Sequence, residues 1–117
     1  MMMEDCIFCK MSSGEIPVKK IYENSNFFSI PDINQEIKGH ALVICKKHFE
    51  NTLNLPNILG AELLDCTKNT ALKLMKEYHA EGFNILNNNF KIAGQIVNHF
   101  HLHILPRKKD DGVNLLS

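Results

Sequence analysis

The sequence predicts an α+β fold: a five-stranded, mainly antiparallel sheet with one long crossover helix and a short N-terminal helix or turn. Three observations predict it. Short apolar runs punctuated by Gly, Pro, Asn and Asp recur along most of the chain, as strands separated by turns do. One stretch, preceded by Pro56-Asn57 and running to about Glu81, instead repeats apolar residues every three or four positions, the period of one helix face. Near the other end, Asn98-His99-Phe100-His101-Leu102-His103-Ile104-Leu105-Pro106-Arg107 alternates histidine with large apolar residues, the period of a strand.

Taken in order, Cys6-Ile7-Phe8-Cys9 forms a Cys-x-x-Cys turn, and Gly14-Glu15-Ile16-Pro17 a second turn. Val18 to Tyr22 and Phe27 to Ile30 are expected as two short strands joined through Glu23-Asn24-Ser25-Asn26, with Pro31-Asp32 ending the second. After a polar loop, His40 to Cys45 is expected as a third strand, opened by Gly39 and closed by Lys46-Lys47-His48. On the helix, Ile58, Leu63, Thr67, Ala71, Leu74, Met75 and Tyr78 make the apolar stripe. Gly82 is expected to stop it, and His79 to sit as a favourable charge at its C-terminus. Phe83 to Leu86 is the fourth strand. The histidine strand is the fifth, with its three imidazoles on one face and Phe100, Leu102 and Ile104 on the core face.

Residues 1–117 are expected to form one domain, with a charged tail over about 107–117. Hydrophobic residues make up 44% and charged residues 22%, as in ordinary globular domains. Thirteen basic residues offset thirteen acidic ones, which argues against a nucleic-acid or membrane-surface partner. An anionic ligand must therefore be held by a few local donors. The opening Met-Met-Met-Glu-Asp lacks the features of a secretion signal and no run reaches membrane-spanning length, so a cytoplasmic location is expected.

Three histidines in register on one strand face each need partners for two ring nitrogens, which points to something metallic, anionic or both on that face. Two chemistries use such a stripe. His-x-His can ligate a catalytic zinc that keeps an open water position. Alternatively, one neutral imidazole attacks phosphorus and carries a nucleotidyl group. Asn87, Gln95 and the backbone amides after Gly94, including those of Ile96 and Val97, suit the oxygens of a phosphate. The Cys-x-x-Cys spacing fits two thiolates on one tetrahedral metal, or two small buried hydrophobes; no βαβ pattern supports a redox dithiol.

The order Gly94-Gln95, Asn98, His-x-His-x-His and Pro106-Arg107 resembles the histidine-triad family of nucleotidyl hydrolases and transferases, in particular members opening with Cys-Ile-Phe-Cys. The resemblance extends to Gly39-His40-Ala41-Leu42-Val43-Ile44, Lys46-Lys47-His48 and Asn87-Asn88-Asn89. It implies that His101 is the nucleophile, oriented by a nearby backbone carbonyl, and that His103 contacts the phosphate. It also implies that Asn87 and Gln95 stand on the phosphate side, Asp32 takes the ribose hydroxyls, and Ile7, Phe8, Ile30, Ile33 and Leu42 hold the purine. Cys6, Cys9, His48 and His99 are the implied ligands of a structural zinc ion, and His40 lies near the site. Implied as well are a homodimer and a purine-nucleotide substrate (a phosphoramidate, acyl-adenylate or dinucleotide) cleaved to a nucleoside 5′-monophosphate. Ile96 stands where members of the family often carry Ser or Thr, which motivates an alternative: a purine-nucleotide-binding regulatory module with little turnover.

Overall fold

A computed structural model describes residues 5–115 of the chain. The Cys-x-x-Cys segment winds into a short helix, α1 (Ile7–Ser13), whose first turn brings Cys6 and Cys9 together. The Cys6 thiol caps it by accepting from the Cys9 N–H at 3.5 Å, and Gly14 closes it at φ 85°, where a side chain would be strained.

Five strands follow: β1 (Tyr22–Glu23), β2 (Phe27–Pro31), β3 (Ala41–Cys45), β4 (Gly82–Leu86) and β5 (His101–Arg107), with α2 (Gly60–Tyr78) between β3 and β4. They form one antiparallel sheet in the order β1-β2-β3-β5-β4. Because β3 and β4 both pair with β5, they run parallel to each other, and α2 is the crossover between them.

The two-residue period of the strands builds two unequal layers. Phe27, Ala41, Val43, Cys45, Leu102 and Ile104 point to α2, where they bury against Cys66, Ala71 and Leu74. Phe28, Ile30, Leu42 and Ile44 point the other way and are covered by Phe8 and Met11 of α1. A seven-residue helix cannot cover a five-stranded face, so part of this second layer stays open.

Three local expectations shift. The first strand shortens to Tyr22–Glu23, because Val18 packs into the α1 layer and the ladder engages only from Ile21, whose N–H bonds Ser29 O at 2.7 Å. Ile58 is exposed in a 3-10 turn (Asn57–Leu59), and Cys66 and Thr70 take the buried positions of α2 instead; the Thr70 hydroxyl bonds Ser29 Oγ at 2.7 Å. Gly82 does not stop the helix. His79 does, adopting a left-handed φ of 53° with its N–H on Met75 O, while Gly82 opens β4. His79 is thus a backbone cap.

Gly39 turns the chain into β3 at φ 88°, and a Cβ there would meet the Tyr78 ring at 2.7 Å. Gly39→Ala should therefore lower the unfolding free energy by about 2 kcal/mol in a urea titration, through left-handed strain and the clash together.

Candidate functional site

Pairing of β5 with β3 sets Leu42 opposite His103 and Ile44 opposite His101, which carries both histidines to the α1 side of the sheet. His99 precedes the strand proper, yet Cys45 N–H still bonds Phe100 O at 3.4 Å, so the pleat extends back to it. His99 and His101 both pack edge-to-face with the Phe8 ring, with centroids 5.7 and 5.1 Å away, and the His103 centroid stands 5.1 Å from that of His101. The three imidazoles share one face, as the alternation requires.

Each ring is held by a different partner. His99 Nε2–H donates to Cys45 O at 2.6 Å, leaving Nδ1 with a lone pair aimed at the cysteines. His101 Nδ1–H donates to His99 O at 2.7 Å, leaving Nε2 as its lone-pair nitrogen. His103 Nδ1 lies 2.9 Å from Nε2 of His40. Burial lowers the pKa of all three: to about 4 for His99 and His103, and below the ordinary histidine value for His101, so each is neutral at pH 7.

His99 Nδ1 completes a cluster with Cys6, Cys9 and His48 in which all ligand atoms lie within 4.8 Å of one another. His99 Nδ1 stands 3.2 Å from Cys6 Sγ, 3.6 Å from Cys9 Sγ and 3.1 Å from His48 Nδ1, and Cys9 Sγ is 3.3 Å from His48 Nδ1. A tetrahedral ion with metal–sulfur and metal–nitrogen bonds of about 2.3 and 2.05 Å has ligand edges of about 3.3 to 3.8 Å. The cluster can hold a metal ion, and its four ligands leave no open position.

Beside it opens a cleft of about 360 Å³ into which the rest of this face is built. His101 and His103 line one wall, Asp32 stands at the end of β2, and Phe8, Ile30 and Leu42 form an apolar floor. Ile7, Val97, Ile33 and Ile96 line it as well, the last two 96% and 94% exposed at its mouth. A larger groove, of about 540 Å³ beside Tyr78, His79 and Lys108, contains none of the triad.

Two expected phosphate-side residues are not in the cleft. Asn87 donates its amide to His101 O at 3.0 Å and accepts from Thr52 and Asn89, which uses both ends of its side chain. Gln95 is buried, its amide donating to Glu50 O and its oxygen accepting from Phe90 N–H at 2.8 Å. Both brace the loop between β4 and β5. Asn88 and Gly94 line the cleft in their place. Met11 also lines it and is within reach of sequence reasoning, since it falls one helical turn beyond Phe8; Asn88 is not, because which of three consecutive asparagines faces inward depends on how the loop folds.

That loop holds Phe90 at φ 73° and ψ 154°, a region populated almost only by glycine. Gln95 pins it from both sides, through the Phe90 N–H bond and through Gln95 N–H on Phe90 O at 3.2 Å.

Comparison with known proteins places this architecture. The HIT domain family model matches residues 13–110, and the chain belongs to that family. It is 44% identical over 107 residues to the uncharacterized HIT-like protein MJ0866 of Methanocaldococcus jannaschii, covering 92% of this chain and 82% of that one. To the adenosine 5′-monophosphoramidase HNT1 of Candida albicans it is 37% identical, over 94% of this chain and 74% of the relative. Among solved structures, SMU.412c of Streptococcus mutans superposes with a TM-score of 0.91 at 41% identity, over 98% of this chain and 73% of that one. A Zn-bound histidine triad family protein of Mycobacterium smegmatis follows at 0.86 and 37%, over 95% and 81%.

The strained loop makes two opposite predictions for chemical denaturation. Phe90→Gly should raise stability by about 1 kcal/mol, since relief of strain exceeds the entropy that glycine adds to the unfolded chain. Gln95→Ala should lower it by about 1–3 kcal/mol, because two backbone groups lose their partners.

Proposed function

We propose that this protein is a nucleotide hydrolase that releases a nucleoside 5′-monophosphate through a covalent nucleotidyl-histidine intermediate. The observation that carries the reading is the His101 tautomer: Nδ1–H is tied to His99 O at 2.7 Å, so a neutral ring lining the cleft presents the lone pair of Nε2. That nitrogen attacks the α-phosphorus, the bond to the leaving group breaks, and the leaving group departs with its electron pair and takes up a proton. Water then attacks phosphorus, the phosphorus–nitrogen bond breaks, and the nucleoside monophosphate leaves with His101 neutral again. His103 and the backbone amides of Ile96 and Val97 face the phosphoryl oxygens, Asp32 takes the ribose hydroxyls, and Phe8, Ile30 and Leu42 hold the base. The monophosphoramidase relative supports a phosphoramidate of adenosine monophosphate as substrate.

The ion at Cys6, Cys9, His48 and His99 is, on this reading, a structural zinc that pins α1 to the triad strand; the donor set suits it and a Zn-bound relative supports it. A triad acting as ligands of a catalytic zinc has no support in the geometry, since His101 is tied to a carbonyl and belongs to no ligand cluster among the described residues. Thiolate ligands suit a reducing compartment, the cytoplasm. We propose a homodimer contact on β4, one of the two outer strands, where Phe83 and Ile85 are 41% and 52% exposed. Ile96 at the mouth favours a second reading, nucleotide binding with little turnover.

His101→Ala should abolish turnover of an adenosine phosphoramidate while AMP still binds by calorimetry, and intact mass of the wild type with a slow substrate should show one nucleotidyl adduct. Turnover persisting in the variant refutes the reading; AMP binding with neither product nor adduct in the wild type selects the regulatory module. Stripping the metal with a chelator should cost about 3 kcal/mol or more of unfolding free energy. Activity lost while the fold persists would point to a catalytic ion instead.

A further inference from the structure

Around the last histidine of the triad stands a second group of potential ligands, in which the proposed chemistry leaves His40 without a role. Asp32, His40 and His103 come from three different places: the end of β2, the start of β3 and the middle of β5. Nε2 of His40 lies 2.9 Å from Nδ1 of His103 and 3.4 Å from Oδ2 of Asp32, and the three ligand atoms fall within 4.8 Å of one another. As a hydrogen-bond network this is short of protons. His40 Nε2 faces both His103 Nδ1 and the acceptor-only carboxylate, and that nitrogen carries at most one proton to share between the two contacts.

We propose that Asp32, His40 and His103 form a binding site for a divalent first-row transition-metal ion, and that the ion excludes nucleotide from the cleft. Two imidazoles and one carboxylate are the donor set that such borderline ions take while keeping positions open. Donors about 2.1 Å from an ion are roughly 3.0 Å apart in octahedral and 3.4 Å in tetrahedral geometry, and the two contacts of His40 Nε2, at 2.9 and 3.4 Å, fall at those spacings. The three residues are fixed in place. Asp32 N–H bonds His40 O at 2.9 Å, Asp32 Oδ1 accepts from Asn34 N–H at 3.1 Å and leaves Oδ2 to the cluster, and His103 is paired to Leu42. The donors hold no thiol, so harder ions than those favoured by the Cys6–Cys9 site are accepted. Competition with nucleotide rests on the reading above, in which Asp32 takes the ribose and His103 faces the phosphate.

The test uses full-length protein with one zinc equivalent already bound, titrated with Co²⁺ by calorimetry and by visible absorption. A second equivalent is expected, with weak d–d bands and no thiolate-to-cobalt charge transfer. His40→Asn should weaken it at least tenfold while zinc content and thermal unfolding stay as in the wild type; Asp32→Asn serves if that variant does not fold. Stoichiometry that stops at one, or a second equivalent that survives both substitutions, overturns the site. AMP affinity should fall tenfold or more when Co²⁺ is bound, in the wild type but not in His40→Asn. Equal AMP affinity with and without Co²⁺ overturns the competition. AMP that fails to bind in the absence of Co²⁺ refutes the nucleotide reading instead, and the Co²⁺ stoichiometry, measured without nucleotide, still decides the site.

Discussion

The pleat of β5 against β3 is the constraint on which this molecule depends. A strand that alternates its side chains sends Leu102 and Ile104 into the layer under α2 and His101 and His103 to the opposite side, where only a seven-residue helix gives cover. The open part of that layer becomes the cleft. Backbone carbonyls then assign the protons. Cys45 O fixes His99 with its lone pair toward the cysteines, and His99 O fixes His101 with its lone pair on the other nitrogen. Two histidines of one type, two residues apart, are thereby made ready for different chemistry by the carbonyl each one meets.

Much of this is legible in the amino-acid sequence alone. Residue-by-residue alternation is a strong local signal, and it correctly places three imidazoles on one face and Phe100, Leu102 and Ile104 on the other. The Cys-x-x-Cys spacing likewise survives folding, because one turn of α1 brings Cys6 and Cys9 together whatever else the chain does. The apolar slot at Phe8, Ile30 and Leu42 follows from family resemblance. By hydrophobicity alone those residues pass for core, and all three do belong to the buried cluster on the α1 side of the sheet.

What is not legible depends on backbone geometry that residue type does not report. Glycine is the usual left-handed terminator, so Gly82 has the look of the end of α2; the helix instead ends three residues earlier on His79, in a left-handed conformation that residues other than glycine adopt uncommonly. Asn87 and Gln95 have amides of the right chemistry for phosphate, yet both amides are spent on backbone groups in shaping the loop. His40 is visible as a residue near the site, but its approach to Asp32 and His103 requires β2, β3 and β5 to be assembled first.

The spacing of His99 and His101 has a consequence for how this chain can change length. One intervening residue, Phe100, separates a ligand of the cysteine cluster from a ring of the cleft, and Phe100 itself is anchored through Phe49 O and Cys45 N–H. Inserting or deleting a single residue there would reverse the parity of everything downstream and exchange the polar stripe for the greasy one. The step from His99 to His101 thus serves as a ruler whose length, two residues, keeps the metal cluster and the cleft in phase.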